Sequence, residues 1–361
     1  MSPRRSFIAQ LPFFCLLIFL VASISWAQDP GTAVSDYVRA EMEREHIPGL
    51  SLLVVKDGKT VRAEGYGLSN VELQVPAKAE TIYQSGSVGK QFAATAVMML
   101  VEEGKIVLDD PLTKYFPEAA ASWADVTVRN LLSHTGGFGD YPENFNYRKD
   151  WTEEQELKLI ESMPLKFAPG TDWEYSNFGY VTLGILIHKI TGEFYGDFLQ
   201  QRIFKPLGMY TTRIITEADI VPNRAAGYRL VKGELKNQKW VAPLLNTTAD
   251  GSLYFSILDL AKWDAALYTD KLLKRSSFEL MWTPVLLKNG KPNKGNYGFG
   301  WFIDNRSGHR CIHHDGAWQG FETAIDRYVD DRLTVVALSN LSDAKPSKIT
   351  QHVAEMYLTP K

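Results

Sequence analysis

The chain has 361 residues, of which 45% are hydrophobic and 22% are charged, and its formal net charge is −3 at pH 7. These values are typical of a soluble globular protein with one large domain or two interleaved lobes. The slight acidity and the lack of a long basic run argue against a nucleic-acid partner.

The N-terminus has the pattern of an export signal. Arg4 and Arg5 precede a strongly apolar run over residues 7–24, and Ser25-Trp26-Ala27 fits a small-x-small cleavage site. We therefore predict a signal peptide over residues 1–27 and a periplasmic or secreted bacterial protein. The general secretion route is favoured over the twin-arginine route. An uncleaved membrane anchor is the alternative, and only in that case is a membrane contact expected.

The chain has only two cysteines, so at most one internal disulfide could form. Cys15 lies in the apolar run, and the bulky Phe14 before it does not fit the cleavage pattern of a lipoprotein, so no lipid anchor is predicted. After cleavage only Cys311 remains. The mature chain then has no internal disulfide and depends on its core for stability.

The apolar pattern predicts four elements in turn, namely a helix, a hairpin, a loop with a short strand and a second helix: residues 34–45, 50–66, 71–79 and 87–101. Asp57-Gly58 is the turn of the hairpin. The second helix is apolar on nearly every side, which predicts burial and a rigidly held first turn.

Residues from about 105 to 210 are predicted to be mainly helical, with Thr127 and Thr152 as N-caps and a helix over 194–204. Strands predominate nearer the C-terminus, and a helix follows them. The predicted strands are 297–303, 310–315, 322–328 and 333–338, and the helix is 347–357. Strands from both chain ends are expected to form one antiparallel sheet with the terminal helices packed on it. Residues 28–361 are interpreted as one domain.

Ser87 and Lys90 open the apolar helix at a spacing of three, so both side chains lie on one helix face. A desolvated lysine amine can take the proton of a neighbouring alcohol and make it a nucleophile. A second Ser-x-x-Lys, Ser342 to Lys345, is followed by Pro346 and is interpreted as a loop. The spacing alone is therefore weak evidence and needs partner residues.

Other familiar catalytic patterns are missing from the sequence. There is no Gly-x-Ser-x-Gly and no His-Glu-x-x-His, and residues 86–91 are too short for a phosphate loop. His309, His313 and His314 lack the spacing of a metal site, since neighbouring residues of a strand point to opposite faces.

Two further segments supply partners for Ser87. Tyr175 and Asn177 alternate on an extended loop, and a tyrosine near an ammonium loses its proton more easily and relays it. A packed aromatic is an equally good interpretation of Tyr175. His314 ends a predicted strand, where it can steer a substrate anion or assist the relay, and Gly316 lets a substrate backbone approach closely. His134 is more simply explained as a buried, hydrogen-bonded histidine.

The motifs Ser87-Val88-Gly89-Lys90, Tyr175-Ser176-Asn177 and His314-Asp315-Gly316 resemble the serine β-lactamase-like superfamily of class C type. That group includes class C β-lactamases, D-alanyl-D-alanine carboxypeptidases, D-aminopeptidases and family VIII esterases. The resemblance extends over about residues 35–340 and includes four flanking segments, 131–137, 167–171, 175–180 and 205–209. It implies an α+β fold of β-lactamase/transpeptidase type, with an antiparallel sheet flanked by helices and a mainly helical lobe.

The resemblance also implies roles. Ser87 is the acylated nucleophile, and Lys90 accepts its proton. Tyr175 relays protons to the leaving group or to the hydrolytic water, and Asn177 holds the substrate amide or Lys90. The backbone N–H groups of Ser87 and Ala317 form the oxyanion hole, where each donor is worth about 3 kcal/mol. No cofactor or metal is needed.

His314 is a departure, because class C β-lactamases usually carry Lys-Thr-Gly where this chain has His314-Asp315-Gly316. A histidine binds a substrate carboxylate less firmly than a lysine does. The prediction is therefore an exported serine hydrolase acting on ester, amide or D-amino-acid peptide substrates, with weak turnover of β-lactams. A class C-like β-lactamase, a non-catalytic penicillin-binding sensor and a cell-wall binding module are the alternatives. The loops 138–150 and 283–296 are expected to select the substrate.

Overall fold

The computed structural model describes residues 30–216 and 218–360. The predicted signal peptide lies outside the described residues. The helices are α1 Thr32–Glu45, α2 Lys90–Glu102, α3 Val128–Leu132, α4 Glu153–Ser162, α5 Asn177–Thr191, α6 Tyr195–Leu199, α7 Lys205–Leu207, α8 Ile257–Ala266, α9 Arg275–Met281 and α10 Pro346–Glu355. None of these described helices is long and apolar enough to cross a membrane.

The main sheet has seven strands in the order β3-β2-β1-β12-β11-β10-β9, and each neighbouring pair is antiparallel. The strands are β1 Gly49–Lys56, β2 Lys59–Asn70, β3 Val75–Pro76, β4 Tyr83–Gln84, β5 Arg213–Ile214, β6 Tyr228–Val231, β7 Glu234–Asn237, β8 Leu253–Phe255, β9 Phe302–Arg306, β10 His309–Trp318, β11 Phe321–Tyr328 and β12 Leu333–Ser339. Pairing of β1 with β12 confirms that strands from both chain ends form one sheet.

Alternation along β1 divides the apolar core between the two faces of the sheet. Leu52 and Val54 pack in a cluster with α1 and α10, whereas Leu53 and Val55 pack in the larger cluster that contains α2 and α8. Successive side chains of a strand point to opposite faces, so the consecutive apolar residues from Leu52 to Val55 contribute to both clusters. The helices at the chain termini therefore cover one face of the sheet, and the helices near Ser87 cover the other.

The predicted helical block contains α3 to α7, and two smaller β elements flank it: a three-stranded sheet, β4-β8-β5, and a hairpin, β6-β7. Thr127 and Thr152 are N-caps, each in a capping box with the residue three positions later, as predicted. The predicted helix over 194–204 is partly wrong, because α6 ends at Leu199 and a turn of π-helix covers Gln200–Phe204.

The predicted strand over 297–303 is also wrong in its position. The observed β9 begins at Phe302, and the Gly298 N–H donates to the Trp301 carbonyl in a turn that precedes it. A Cβ atom at Gly298 would lie 2.0 Å from the Met281 carbonyl oxygen, so this segment packs too closely on α9 to continue the sheet.

Helix α2 is buried along almost its whole length, which fixes what lies at its N-terminal end. The Phe92 ring is 4.3 Å from the Trp263 ring and 5.4 Å from the Phe204 ring, measured between centroids. The helix begins at Lys90, and Ser87 lies in a preceding 3-10 turn, Gly86–Gly89, and not in the first α-helical turn. Residues three apart eclipse each other in a 3-10 turn, so this correction favours contact between the two side chains.

Candidate active site

The Lys90 side chain lies fully buried at the centre of the site. Its Nζ atom is 3.0 Å from Ser87 Oγ, 2.7 Å from Asn177 Oδ1 and 2.5 Å from the Asp250 carbonyl oxygen. The two latter atoms can only accept hydrogen bonds, so they take two N–H groups of the amine. The third direction points to Ser87, where a neutral amine presents its lone pair to the serine hydroxyl.

Burial lowers the pKa of Lys90 to about 8, and the Asp250 and Asp140 carboxylates act in the opposite direction. An ammonium in a dry site loses hydration, which destabilises its charged form. At pH 7 about one tenth of Lys90 is therefore the uncharged amine, several hundredfold more than for an exposed lysine. This form can accept the proton of Ser87.

The start of α5 sets the positions of Tyr175 and Asn177. Ser176 is the N-cap, its backbone N–H donates to His134 Nδ1 at 3.2 Å, and its hydroxyl donates to the Gly139 carbonyl at 2.5 Å. Asn177 Nδ2 donates to an Asp140 carboxylate oxygen at 3.0 Å, which turns Oδ1 of the same amide towards Lys90. Asn177 thus holds Lys90, which is one of the two roles implied for it.

Tyr175 is both a packed aromatic and a neighbour of the amine. Its ring lies 4.2 Å from the His134 ring between centroids, and Lys90 Nζ lies 4.9 Å from the Tyr175 centroid. The phenol oxygen is buried and has no hydrogen bond of normal geometry within the described residues. Burial raises the pKa of Tyr175 well above its ordinary value, and the nearby Ser87 hydroxyl acts in the opposite direction. Burial outweighs any easing of ionisation by the ammonium, so Tyr175 stays protonated.

His314 is buried and uncharged. Its Nδ1 atom is 2.6 Å from the Asp315 carbonyl oxygen and its Nε2 atom is 2.9 Å from Tyr297 Oη. Because the carbonyl only accepts, Nδ1 carries the proton and the tyrosine donates to Nε2. Burial, reinforced by the charge of Lys90, lowers the pKa of His314 to about 3. This placement does not fit the anion-steering role predicted for His314, because the ring has no charge and both nitrogens are already engaged.

Gly316 allows β10 to touch the turn that carries Ser87. A Cβ atom at Gly316 would lie 2.4 Å from the Ser85 carbonyl oxygen and 2.7 Å from the Ser87 nitrogen, and one at Gly86 would lie 2.5 Å from the Ala317 nitrogen. The two glycines therefore bring the backbone nitrogens of Ser87 and Ala317 together at one edge of the site. The close approach at Gly316 is made by the protein's own backbone, whereas a substrate backbone was predicted there.

Sequence reasoning missed three residues of this site. Asp250 lies in a segment that was interpreted only as a loop, and Asp140 and Tyr297 lie far from the three motifs in the chain. Asp250 is 3% exposed, and its Oδ1 atom has no hydrogen-bond partner within the described residues. No spacing rule links these positions to Ser87, because only the folded chain brings them together.

The second Ser-x-x-Lys has no comparable surroundings. Ser342 Oγ accepts the Gly320 N–H at 2.9 Å, and Lys345 is the residue before α10, so it lies outside the helix as predicted. His313 and His309 form separate pairs with Asp304 and Asp331. Within residues 30–216 and 218–360, no group of three histidine, cysteine or acidic residues is arranged to hold a metal ion.

A model of the family described as Beta-lactamase matches residues 34–355. The chain belongs to the beta-lactamase family. It is 30% identical over 308 residues to "Penicillin-binding protein 4*" of Bacillus subtilis, an alignment that covers 80% of this chain and 67% of that protein. The chain spans about two thirds of the length of such curated relatives.

Solved structures place the fold in the serine β-lactamase/transpeptidase superfamily. An octameric penicillin-binding protein homologue from Pyrococcus abyssi has a TM-score of 0.80 and 30% identity, covering 90% of this chain and 76% of the other. A D-stereospecific amidohydrolase from Streptomyces sp. has a TM-score of 0.77 and 26% identity, covering 92% of this chain and all of the other, 100%. These findings confirm the predicted α+β fold. Membership of the beta-lactamase family supports a serine hydrolase in general.

Replacing Gly316 by alanine is predicted to separate β10 from the turn that holds Ser87. Loss of one well-placed oxyanion donor costs about 10²- to 10³-fold in kcat, and we expect a fall of that order with the fold retained. Gly179→Ala is the control, since a Cβ atom there meets its nearest neighbour at 3.6 Å. Ester hydrolysis and circular dichroism of both variants test this, and an unchanged kcat for Gly316→Ala would contradict it.

Asp250→Asn is predicted to shift the pH dependence of kcat/KM towards acid. The Asp250 carboxylate raises the pKa of Lys90, so its removal lowers that pKa and leaves more neutral amine at a given pH. The acidic limb of the profile should therefore move to lower pH, whereas exposed Asp270→Asn should leave it in place. A shift towards alkaline pH, or none, would show that Asp250 does not tune Lys90.

Proposed function

We propose that this protein is a serine hydrolase that forms an acyl-enzyme on Ser87 and acts on ester, amide or D-amino-acid peptide substrates. The observation that carries the proposal is the contact between the Ser87 hydroxyl and a buried Lys90 amine with lowered pKa, whose other two directions are occupied. A lysine buried at this position without these partners would cost the fold considerable free energy, because its charge would be unpaired.

Acylation begins when Ser87 Oγ attacks the substrate carbonyl carbon and its proton passes to the neutral Lys90 amine. The negative charge that develops on the carbonyl oxygen is stabilised by the backbone N–H groups of Ser87 and Ala317. The bond to the leaving group then breaks. The leaving group receives the proton from Lys90 through the protonated Tyr175, which donates its own proton and accepts another.

Deacylation follows the same path in reverse order. A water molecule attacks the acyl carbon, its proton passes to Lys90, and the ester bond to Ser87 breaks as Oγ is reprotonated. Lys90 begins and ends each half-reaction as a neutral amine, so the protons balance. The steps as written use only groups of the protein, the substrate and water. Asn177 supports them by holding the amine in place through Oδ1.

The substrate class is supported by two observations. The Streptomyces neighbour is titled a D-stereospecific amidohydrolase, which favours amides and peptides of D-residues as candidates. The neutral, buried His314 offers no exposed cation for the carboxylate of a β-lactam, so efficient β-lactamase activity is disfavoured. The N-terminal pattern supports action outside the cytoplasm, where cell-wall peptides are available as substrates.

Ser87→Ala is predicted to abolish covalent labelling by a fluorophosphonate and all turnover in a panel of 4-nitrophenyl esters, nitrocefin and a D-Ala-D-Ala peptide. Ser342→Ala, which alters the other Ser-x-x-Lys, should retain both. Labelling that persists in Ser87→Ala would overturn the nucleophile assignment. A stoichiometric burst without steady-state turnover in the unaltered protein would instead favour a sensor.

A further inference from the structure

A groove of about 630 Å³ lies beside the turn that follows β10, and its lining carries more positive than negative side chains. Three cationic side chains from separate segments line it: Arg148 before α4, Arg229 on β6 and Lys239 after β7. One carboxylate, Asp343, lines it too. Within residues 30–216 and 218–360, none of the three cations forms an ion pair with a carboxylate.

Convergence of unpaired like charges on one concavity does not stabilise the fold. Like charges repel, and a concave surface of low dielectric constant focuses their field and concentrates anions. The Arg229 guanidinium is oriented by a hydrogen bond from its Nε atom to the Asn237 carbonyl at 3.1 Å. On the same hairpin, by contrast, Lys236 pairs with Glu234. The arrangement therefore points to an anion supplied from outside the chain.

The groove is continuous with the catalytic edge of β10. Gln319, which lines it, lies in the turn after β10 and is two residues beyond Ala317, so the two residues are at most about 7 Å apart. Trp318 lies between them, packs against the buried cluster of Phe145, Val241 and Leu245, and donates from Nε1 to Asn246 Oδ1 at 3.0 Å. The held side chain of Trp318 therefore lies between the backbone nitrogens proposed as the oxyanion hole and the cationic groove. A substrate bound at Ser87 can therefore extend into it.

We propose that this groove is a subsite that binds a carboxylate group of the substrate, remote from the scissile bond. The inference rests on the proposed function and narrows its substrate class to esters and peptides that carry such a remote carboxylate. Arg148, Arg229 and Lys239 bind the anion, and the half-exposed Trp240 (52% exposed) gives the linking chain an apolar surface. His314, which is buried and neutral, takes no part in anion binding.

The test uses 4-nitrophenyl half-esters of dicarboxylic acids of graded length, each paired with the methyl ester of its far carboxylate. A second series carries the carboxylate on the leaving group. We expect a higher kcat/KM for the anionic member of a pair at one chain length, and the preference should fall as ionic strength rises.

Arg148→Ala, Arg229→Ala and Lys239→Ala should each raise KM for the preferred anionic ester by about two- to fivefold, the range of exposed ion pairs, with kcat unchanged. KM for the methyl esters should not change. Exposed Lys271→Ala, outside the groove, is the matched control and should alter neither. Lys239→Glu guards against a variant that merely misfolds, because it leaves two cations and two carboxylates in the groove and should abolish the preference while turnover of methyl esters continues.

Equal kcat/KM for anionic and neutral members in both series, or a preference that survives all three substitutions, would overturn the subsite. Either result is distinguishable from failure of the proposed function. If the proposed function itself were wrong, Ser87 would not be labelled and the neutral methyl esters would not be hydrolysed at all.

Discussion

The contact between Ser87 and a desolvated Lys90 is the constraint on which the rest of the site depends. A lysine amine can act as a base near neutral pH only if its surroundings disfavour the ammonium, and full burial does this here. Burial also creates a requirement, because the N–H groups of the amine need acceptors. Asn177 Oδ1 and the Asp250 carbonyl meet it, and they leave the third direction for Ser87.

Three distant parts of the chain maintain this contact. The packing of α2 against Trp263 and Phe204 fixes Lys90, the N-cap of α5 fixes Asn177 and Tyr175, and Gly316 lets β10 close on Ser87. Pairing between β1 and β12 joins the chain ends in one sheet, so the pieces share one framework. Residues outside this framework then select the substrate. The cationic groove beyond Ala317 is the feature that narrows the proposed substrate class.

Short-range sequence patterns correctly predicted those helices, caps and strands that depend on residues close together in the chain. The apolar run after Lys90, the caps Thr127 and Thr152 and the alternation in β1 each reflect short-range rules, and the structure agrees with them. Errors arose where tertiary packing decides. Close packing of Gly298 on α9 displaced a predicted strand towards the C-terminus, and burial made His314 neutral although its position suggested that it could steer a substrate anion. Asp250 carried no sequence signal, since its role comes from the approach of two distant segments.

The ionisation of Lys90 is the most direct test of the central claim. Nitrogen NMR of protein labelled at lysine side chains, with the Lys90 signal assigned by its loss in Lys90→Arg, reports this equilibrium. A midpoint near pH 8 is predicted, well below the value of about 10.4 for an exposed lysine. A midpoint at the ordinary value would contradict the account, because Lys90 would then remain an ammonium at neutral pH and leave Ser87 without its base.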